Sequence, residues 1–263
     1  MKDKTGVCIT TYNSQDYFET LFNSLPVGKE YELVVVNGGE SYDKTYKRIN
    51  GEVRWIQHQE NYGPARSRND GLKMLYDLGC EHLFCLEDDL QILSEDIFDE
   101  YVEASKITGL EYFHFASYAW NVGKPGARTP RLQVQYSPDL TINFFQTMCN
   151  EMSYRSRNLY ELVGEYDENM VNMFDCEWVK RASEKPNVAP FEYFADISNS
   201  DDLIMNNPVS ISRLDADGKR LDRLKPDIEY FTRKHGHHIA QTPKMDQDKV
   251  VDKLKKIRDN VKS

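Results

Sequence analysis

The feature that most constrains the fold of this chain is an alternation of apolar runs with segments of helical periodicity in its first third. Short apolar runs at residues 5–13, 31–39, 53–56 and 82–86 have the length and β-branched content of strands. Between them, residues 15–24 and 64–78 carry apolar side chains at helical spacing. Strands that alternate with helices in this way predict a parallel sheet with crossover helices.

A run of acidic residues, Glu87, Asp88 and Asp89, follows the last of these strands. A strand that ends in acids presents them at the carboxyl edge of the sheet, where open α/β sheets bind ligands. Neighbouring carboxylates repel one another and raise each other's pKa, so the cluster favours a bound cation. Hard oxygen ligands suit Mg²⁺ or Mn²⁺, which often bind through one or two carboxylates and a substrate's phosphates. An isolated acidic run is also typical of a solvated turn before a helix.

Four motifs follow one another in the first third of the chain: ITTYN at 9–13, LVVVNGG at 33–39, NYGPARSRNDG at 61–71 and LFCLEDDL at 83–90. Their order resembles that in the nucleotide-binding half of a family 2 glycosyltransferase with the GT-A fold. Residues 152–168 resemble the family's R…VGGFDE segment, and residues 174–181 resemble its ED…R segment. No single motif is specific, but together, in the family's order, they favour this family strongly.

The resemblance implies an α/β fold of the GT-A, Rossmann-like class, with a mixed, mainly parallel sheet flanked by helices. Residues 1–240 would form one domain, with a nucleotide-sugar-binding half at 1–96 and an acceptor-binding half at 97–240. A C-terminal helix is expected at 241–263, where a narrow apolar stripe recurs at Val250, Leu254, Ile257 and Val261. The stripe predicts docking on the domain itself or on a second copy, so a homodimer through this helix is one expectation.

Composition agrees with a single enzyme domain. A chain of 263 residues is long enough for one large α/β core. We expect a soluble, cytoplasmic protein, because there is no signal-peptide pattern and no run of roughly 20 apolar residues that could span a membrane. The odd number of cysteines, without zinc spacing, predicts reduced thiols at Cys8, Cys80, Cys85, Cys149 and Cys176.

The charge balance bears on possible partners. A net charge of −10 disfavours a broad basic surface for nucleic acid. Two basic stretches, residues 124–131 and 213–225, predict solvated loops or a local basic groove.

The resemblance implies a metal-dependent, inverting transfer of a sugar from a nucleoside diphosphate sugar to an acceptor hydroxyl. Asp89, the last acid of the DxD-type motif, is then the direct ligand of Mn²⁺ or Mg²⁺, with Glu87 or Asp88 assisting. Glu87 replaces the family's usual Asp and is also a candidate for the donor's ribose. His235 and His237 are candidates to complete the metal or diphosphate site, although a His-rich stretch is also consistent with an exposed loop.

Two carboxylates compete for the role of general base. The family's base lies in the segment that resembles residues 174–178, where Asp175 matches best in register and Glu177 is the alternative. A structural interpretation is that Asp175 caps the helix that follows.

Nucleotide recognition is predicted at three places. Thr10, Thr11, Tyr12 and Asn13 end the first strand, where the family contacts the base and ribose. At the position of Asn37 and Gly38 the family usually has an Asp pair that contacts the base. This departure weakens the expectation of uridine specificity. Residues 65–69 resemble a short ARN segment of the family. Its polar residues here, Arg66, Arg68 and Asn69, either contact the base or diphosphate or brace the loop at 61–63.

The sequence leaves the acceptor and two rival functions open. The acceptor is a glycan, a lipid-linked saccharide, a protein or a modified base in DNA, and the last fits poorly with the acidic balance. A nucleotidylyltransferase should carry a Gly-rich basic loop after the first strand, and residues 11–14 are not one. A non-catalytic sugar- or nucleotide-binding module would not need both Asp89 and the pair of Asp175 and Glu177.

Overall fold

A computed structural model describes residues 3–116, 129–147, 151–206 and 220–261. In chain order its elements are β1 (Thr5–Thr11), α1 (Gln15–Ser24), β2 (Glu32–Asn37), β3 (Val53–Gln57), α2 (Pro64–Asp77), β4 (His82–Glu87), β5 (Leu90–Ile92), α3 (Ile97–Thr108), β6 (Tyr112–His114), β7 (Leu132–Ser137), β8 (Leu140–Phe145), β9 (Met152–Ser156), α4 (Arg157–Val163), α5 (Phe174–Ser183), β10 (Phe194–Ile197), α6 (Ser200–Leu203), β11 (Ile204–Asn206), α7 (Arg220–His235) and α8 (Gln247–Val261).

The central sheet has six strands in the order β3-β2-β1-β4-β9-β6. Strands β1 to β4 run parallel, whereas β9 is antiparallel to both β4 and β6. The predicted mixed, mainly parallel sheet is therefore confirmed. Because β6 and β9 come from the 97–240 half and extend the same sheet, the two halves share one sheet rather than forming separate bodies.

The register of the parallel strands aligns the carboxyl ends of β1, β2 and β4. Thr10 lies opposite Val36 on one side and opposite Glu87 on the other. The polar residues that follow β1, β2 and β4 consequently meet at one edge, as expected for parallel strands.

Apolar side chains fill both faces of the sheet because strand residues alternate in direction. Val7 and Ile9 of β1 belong to a cluster with α1, α3 and α8, whereas Cys8 belongs to a second cluster with α2 and α5. Helix α2 approaches β1 so closely that a Cβ on Gly71 would lie 2.1 Å from Cys8 Sγ. Glycine at this position permits the contact that sets α2 against the sheet.

Helix α8 docks on the chain's own domain. Val250, Leu254 and Ile257 are all at most 3% exposed and join the cluster that contains α3. Lys253 also donates hydrogen bonds to the backbone oxygens of Ser183 and Lys185 at the end of α5. Three of the four stripe residues are thus covered by the chain's own domain, which is one of the two expected docking modes, whereas Val261 is 50% exposed. The described residues give no support to the homodimer through this helix.

The sequence also led to expectations about the cysteines, the basic stretches and membrane spans. Cys8, Cys80 and Cys85 are buried free thiols and Cys176 is a half-buried one, whereas Cys149 lies outside the described residues. Residues 124–128 and 213–219 of the basic stretches also lie outside them. Within the described ranges, every helix is too short or too polar to cross a bilayer.

Candidate active site

A cleft of about 290 Å³ opens at the shared carboxyl edge of β1, β2 and β4, beside the first turn of α2. Its lining residues are Thr10, Thr11, Tyr12, Gly38, Asn61, Gly63, Pro64, Ser67, Glu87 and Asp88. The strand-end residues predicted to bind the nucleotide sugar come together here. The helix start at Pro64 was predicted, but Asn61, Gly63, Pro64 and Ser67 were not predicted to line the site, although Gly63-Pro64 is a signal for a helix start that faces an edge of this kind.

The acid run forms the turn between β4 and β5. Asp88 accepts a 2.6 Å hydrogen bond from Thr11 Oγ1, which also bonds the hydroxyl of Tyr42. Burial raises the pKa of Glu87 well above its ordinary value, and the charges of Asp89, Glu151 and Asp88 raise it further. Glu151, just before β9, is a fourth carboxylate of this cluster that the sequence did not single out.

The carboxylate cluster fits a hard divalent cation. Among the described residues no group of three or more His, Cys, Asp or Glu side chains is arranged to hold a metal ion by itself. A cation that arrives with a diphosphate needs only one or two protein carboxylates. Burial is the main cause of the raised pKa of Glu87, and the neighbouring carboxylates add to it, so a bound cation would relieve their mutual repulsion. Asp89 and Asp88 are therefore suitable donors for an ion shared with the nucleotide.

Arg68 is the counter-ion of this cluster. It is only 1% exposed, forms an ion pair with Glu87 and lies 5.0 Å from the ring centroid of Phe174. Burial alone would lower the pKa of Arg68, but the charge of Glu87 holds it well above its ordinary value, with a smaller contribution from Asp175. One buried guanidinium thus acts on both the acid run and the candidate base.

Asp175 lies in the first turn of α5, on the Arg68 side. Burial raises its pKa, and Arg68 opposes that increase. The residue at the cap position is Met173, so Asp175 is not the helix cap of the structural interpretation. Its Oδ1 accepts a 2.7 Å hydrogen bond from the backbone N–H of Cys176.

Glu177 occupies a different environment. Residues two apart on a helix point in nearly opposite directions. Glu177 is fully buried and accepts from Arg181 Nε at 3.0 Å, Lys234 Nζ at 2.9 Å and His235 Nε2 at 3.1 Å. The geometry therefore favours Asp175 over Glu177 for contact with a substrate.

The histidines belong to the contact between α5 and α7. His235 bonds Glu177, and burial, followed by the charge of Lys180, lowers its pKa. His237 Nδ1 lies 3.1 Å from the backbone oxygen of His238, which caps a 3-10 turn at Ile239–Gln241. Neither histidine hydrogen-bonds the acid run, so the structure gives no support to their role as metal ligands.

Two asparagines build the wall of the cleft. Asn37 is fully buried, donates to Glu40 O at 2.7 Å and to Gln57 Oε1 at 3.1 Å, and accepts from Gly39 N at 2.9 Å. Asn13, with φ of 50°, accepts from Glu40 N at 2.8 Å. Only an amide can donate and accept in the way Asn37 does.

Arg66 and Asn69 brace a loop, but not the loop at residues 61–63. Asn69 donates to Tyr166 O at 3.0 Å and accepts from Tyr166 N at 2.8 Å. Arg66 is exposed and pairs with Asp70 at 3.0 Å and with Glu168 at 3.5 Å. These side chains tie α2 to the loop between α4 and α5, whereas the sequence placed the brace at residues 61–63.

Comparison with known proteins gives one family match, over slightly less than half of the chain. The model of the family described as "Glycosyl transferase family 2" matches residues 6–129, the segment that contains β1, β2, α2 and the acid run. This segment belongs to glycosyl transferase family 2. The match favours a glycosyltransferase over the nucleotidylyltransferase and the binding module that the sequence left open. No curated protein matches the chain.

Solved structures agree on the GT-A fold. S. aureus TarS 1-349 is similar with a TM-score of 0.54 at 17% identity, over 98% of this chain and 82% of that one. The mannosyltransferase PcManGT from Pyrobaculum calidifontis, in complex with GDP-Man and Mn²⁺, has a TM-score of 0.55 at 12% identity, over 98% and 68%. A longer TarS chain gives 0.54 at 16% identity, over 88% of this chain, which spans only 43% of its length. At these identities the likeness shows the fold alone.

Proposed function

We propose that this glycosyltransferase is metal-dependent and inverting, and that it moves a sugar from a nucleoside diphosphate sugar to an acceptor hydroxyl. The observation that carries the proposal is the position of Arg68. Its buried charge acts on Glu87 of the acid run and on Asp175 of α5, so the groups suited to the diphosphate and to the acceptor surround one point.

Donor binding is assigned to the cleft. Thr10, Thr11, Tyr12 and Gly38 supply a hydroxyl-rich wall and one exposed aromatic ring for the nucleoside. The N-terminus of α2, at Gly63 and Pro64, directs its backbone N–H groups toward the region of the diphosphate. Asn13 and Asn37 hold the loop that forms this wall rather than the base itself.

Asp89, with Asp88 or Glu87, would hold Mn²⁺ or Mg²⁺. When bound there, the ion supplies positive charge for the diphosphate as the bond to the sugar breaks. Mn²⁺ in PcManGT supports this choice of metal. Arg68 opposes the increase in the pKa of Glu87 that burial causes, and its positive charge limits the repulsion between the carboxylates and the entering donor.

Asp175 is assigned the base. The acceptor oxygen bonds to the anomeric carbon on the face opposite the diphosphate, its proton passes to the Asp175 carboxylate, and the diphosphate leaves with the electron pair of the broken bond. A carboxyl group whose pKa is raised by burial is a better base near neutral pH than an ordinary one. One displacement with one base inverts the anomeric configuration.

Release of nucleoside diphosphate, measured with UDP- and GDP-sugars and with separate glycan, lipid-linked saccharide, protein and DNA acceptor pools, tests the proposal. NMR of the product's anomeric proton reports inversion or retention. Asp175→Asn should lower transfer by about 10²–10⁴-fold with donor affinity unchanged. Full activity of this variant, or a retained anomer, would refute the assignment of the base.

A further inference from the structure

Asp227 lies on the inner face of α7 and has no role in the proposed reaction. It is only 4% exposed. Its Oδ2 accepts backbone N–H groups from Val171 at 3.1 Å, Asn172 at 2.5 Å and Met173 at 2.9 Å. Three successive amides thus converge on one carboxylate, an arrangement typical of an anion-binding backbone nest.

These amides belong to the loop that leads directly into α5. The first N–H groups of a helix lack partners within the helix, and a side chain at the cap position usually satisfies one of them. The residue at the cap position here, Met173, provides no such hydrogen bond. Asp227 instead holds the amides of the three residues that precede the first helical residue, and its negative charge also complements the helix N-terminus.

The end of α7 holds α5 at a second place. Lys234 bridges Glu177 at 2.9 Å and Asp167 at 2.6 Å, and His235 bonds Glu177. Between the two anchors Phe231 is fully buried. Helix α7 is consequently fixed along α5, so the position of Asp227 is set independently of the loop that it holds.

We propose that Asp227 is a positioning residue that sets the place of Asp175 relative to Arg68 and the cleft. The backbone of Met173, which Asp227 holds, is two residues from Asp175. The side chain of Val171 is 58% exposed and offers little packing to keep the loop in place. The proposal rests on the proposed function, because it requires Asp175 to be the base.

The test uses the full chain and compares steady-state constants. Displacing a catalytic group by about 1 Å costs on the order of 10²-fold in rate. Asp227→Asn keeps the shape but loses the charge, and should lower kcat about tenfold; Asp227→Ala should lower it about 10²-fold. The KM for the donor should stay within about twofold in both, since the cleft is built by β1, β2 and α2. Glu229→Gln removes a charge from the exposed side of α7 and is the matched control, with kcat unchanged.

A double-mutant cycle separates positioning from general loosening. If Asp227 acts through Asp175, adding Asp227→Asn to Asp175→Asn should cause less than a twofold further loss. A further loss of about tenfold, or a wild-type kcat in Asp227→Ala, overturns the positioning role and leaves Asp175 as base. An active Asp175→Asn instead refutes the proposed base, and the positioning role with it.

A measurement on the unaltered protein covers the case in which the variants fail to fold. The amide protons of Val171, Asn172 and Met173 should exchange at least about 10²-fold more slowly than those of an unstructured chain. Exchange at the unprotected rate would show that Asp227 does not hold the loop, and would overturn the proposal.

Discussion

Arg68→Met is the perturbation that tests the site most directly. Methionine keeps much of the apolar stem of arginine in a position that is 1% exposed, but removes the charge that faces Glu87. The exposed Arg66, two residues earlier on α2, gives the matched control Arg66→Met.

The expected loss of stability follows from burial. Removing one partner of a buried ion pair costs about 3–5 kcal/mol, because the remaining charge is left uncompensated. The Glu87 side chain is 39% exposed and regains some hydration, so the lower end, about 3 kcal/mol, is expected. The pair of Arg66 and Asp70 is more exposed, and its loss should cost about 0.5 kcal/mol.

The pH dependence has a definite sign. Arg68 lowers the pKa of Asp175 against the increase caused by burial, so its removal raises that pKa further. As the proposed base, Asp175 acts only when deprotonated. The acidic limb of kcat/KM should therefore move to higher pH in Arg68→Met, and its value at pH 7 should fall by about 10²-fold or more.

Urea unfolding at pH 7, followed by circular dichroism, measures the first effect, and kcat/KM between pH 5 and 9 measures the second. The reasoning is refuted if Arg68→Met is no less stable than Arg66→Met and its acidic limb stays in place. A shift of the limb without loss of stability would show that the charge of Arg68 reaches Asp175 without compensating Glu87.

Three further outcomes are expected. Activity should be lost in EDTA and restored by Mn²⁺ or Mg²⁺, and Asp89→Asn should lower turnover by about 10²-fold; undiminished transfer in chelator contradicts a metal-dependent reaction. Glu177→Gln should cost about 3 kcal/mol in urea unfolding because Arg181 and His235 lose the buried carboxylate that they share with Lys234, while the folded variant keeps most of its transfer rate; the opposite pattern would make Glu177 the base. Burial raises the pKa of Asp196 to about 7, so the folded state holds a proton that the unfolded chain releases, and stability should fall by up to roughly 4 kcal/mol as pH rises from about 4 to 7. Asp196→Asn should flatten that slope, and an unchanged slope would exclude Asp196 as its source.

Much of the donor half was predictable from the sequence. The helix expected at 15–24 begins and ends at those residues in α1, and the run expected at 82–86 became β4 with one further residue. Helical spacing with Pro26 just after the helix, and a continuous apolar run that ends in acids, are local signals, and they suffice here. Thr11, Gly38 and Asp88 were correctly placed at one edge, because the ends of parallel strands must meet there.

The candidate site beyond that edge was not predictable in the same way. His235 and Glu177 looked like site residues in the sequence, yet they bond to each other between α5 and α7. Asn37 looked like a group that reads the base, yet its amide is used within its own loop. A polar residue in a motif has the same local pattern whether it contacts a ligand or a neighbouring helix.

The sequence by itself determined the order of strands and helices and the edge at which the acid run lies, since periodicity and chain direction are local properties. Only the tertiary structure decided which charges meet. Arg68 with Glu87, and Asp227 with Met173, are pairs of residues 19 and 54 positions apart. The role of a carboxylate depends on its burial and on the charges beside it, and both arise only when distant segments pack together.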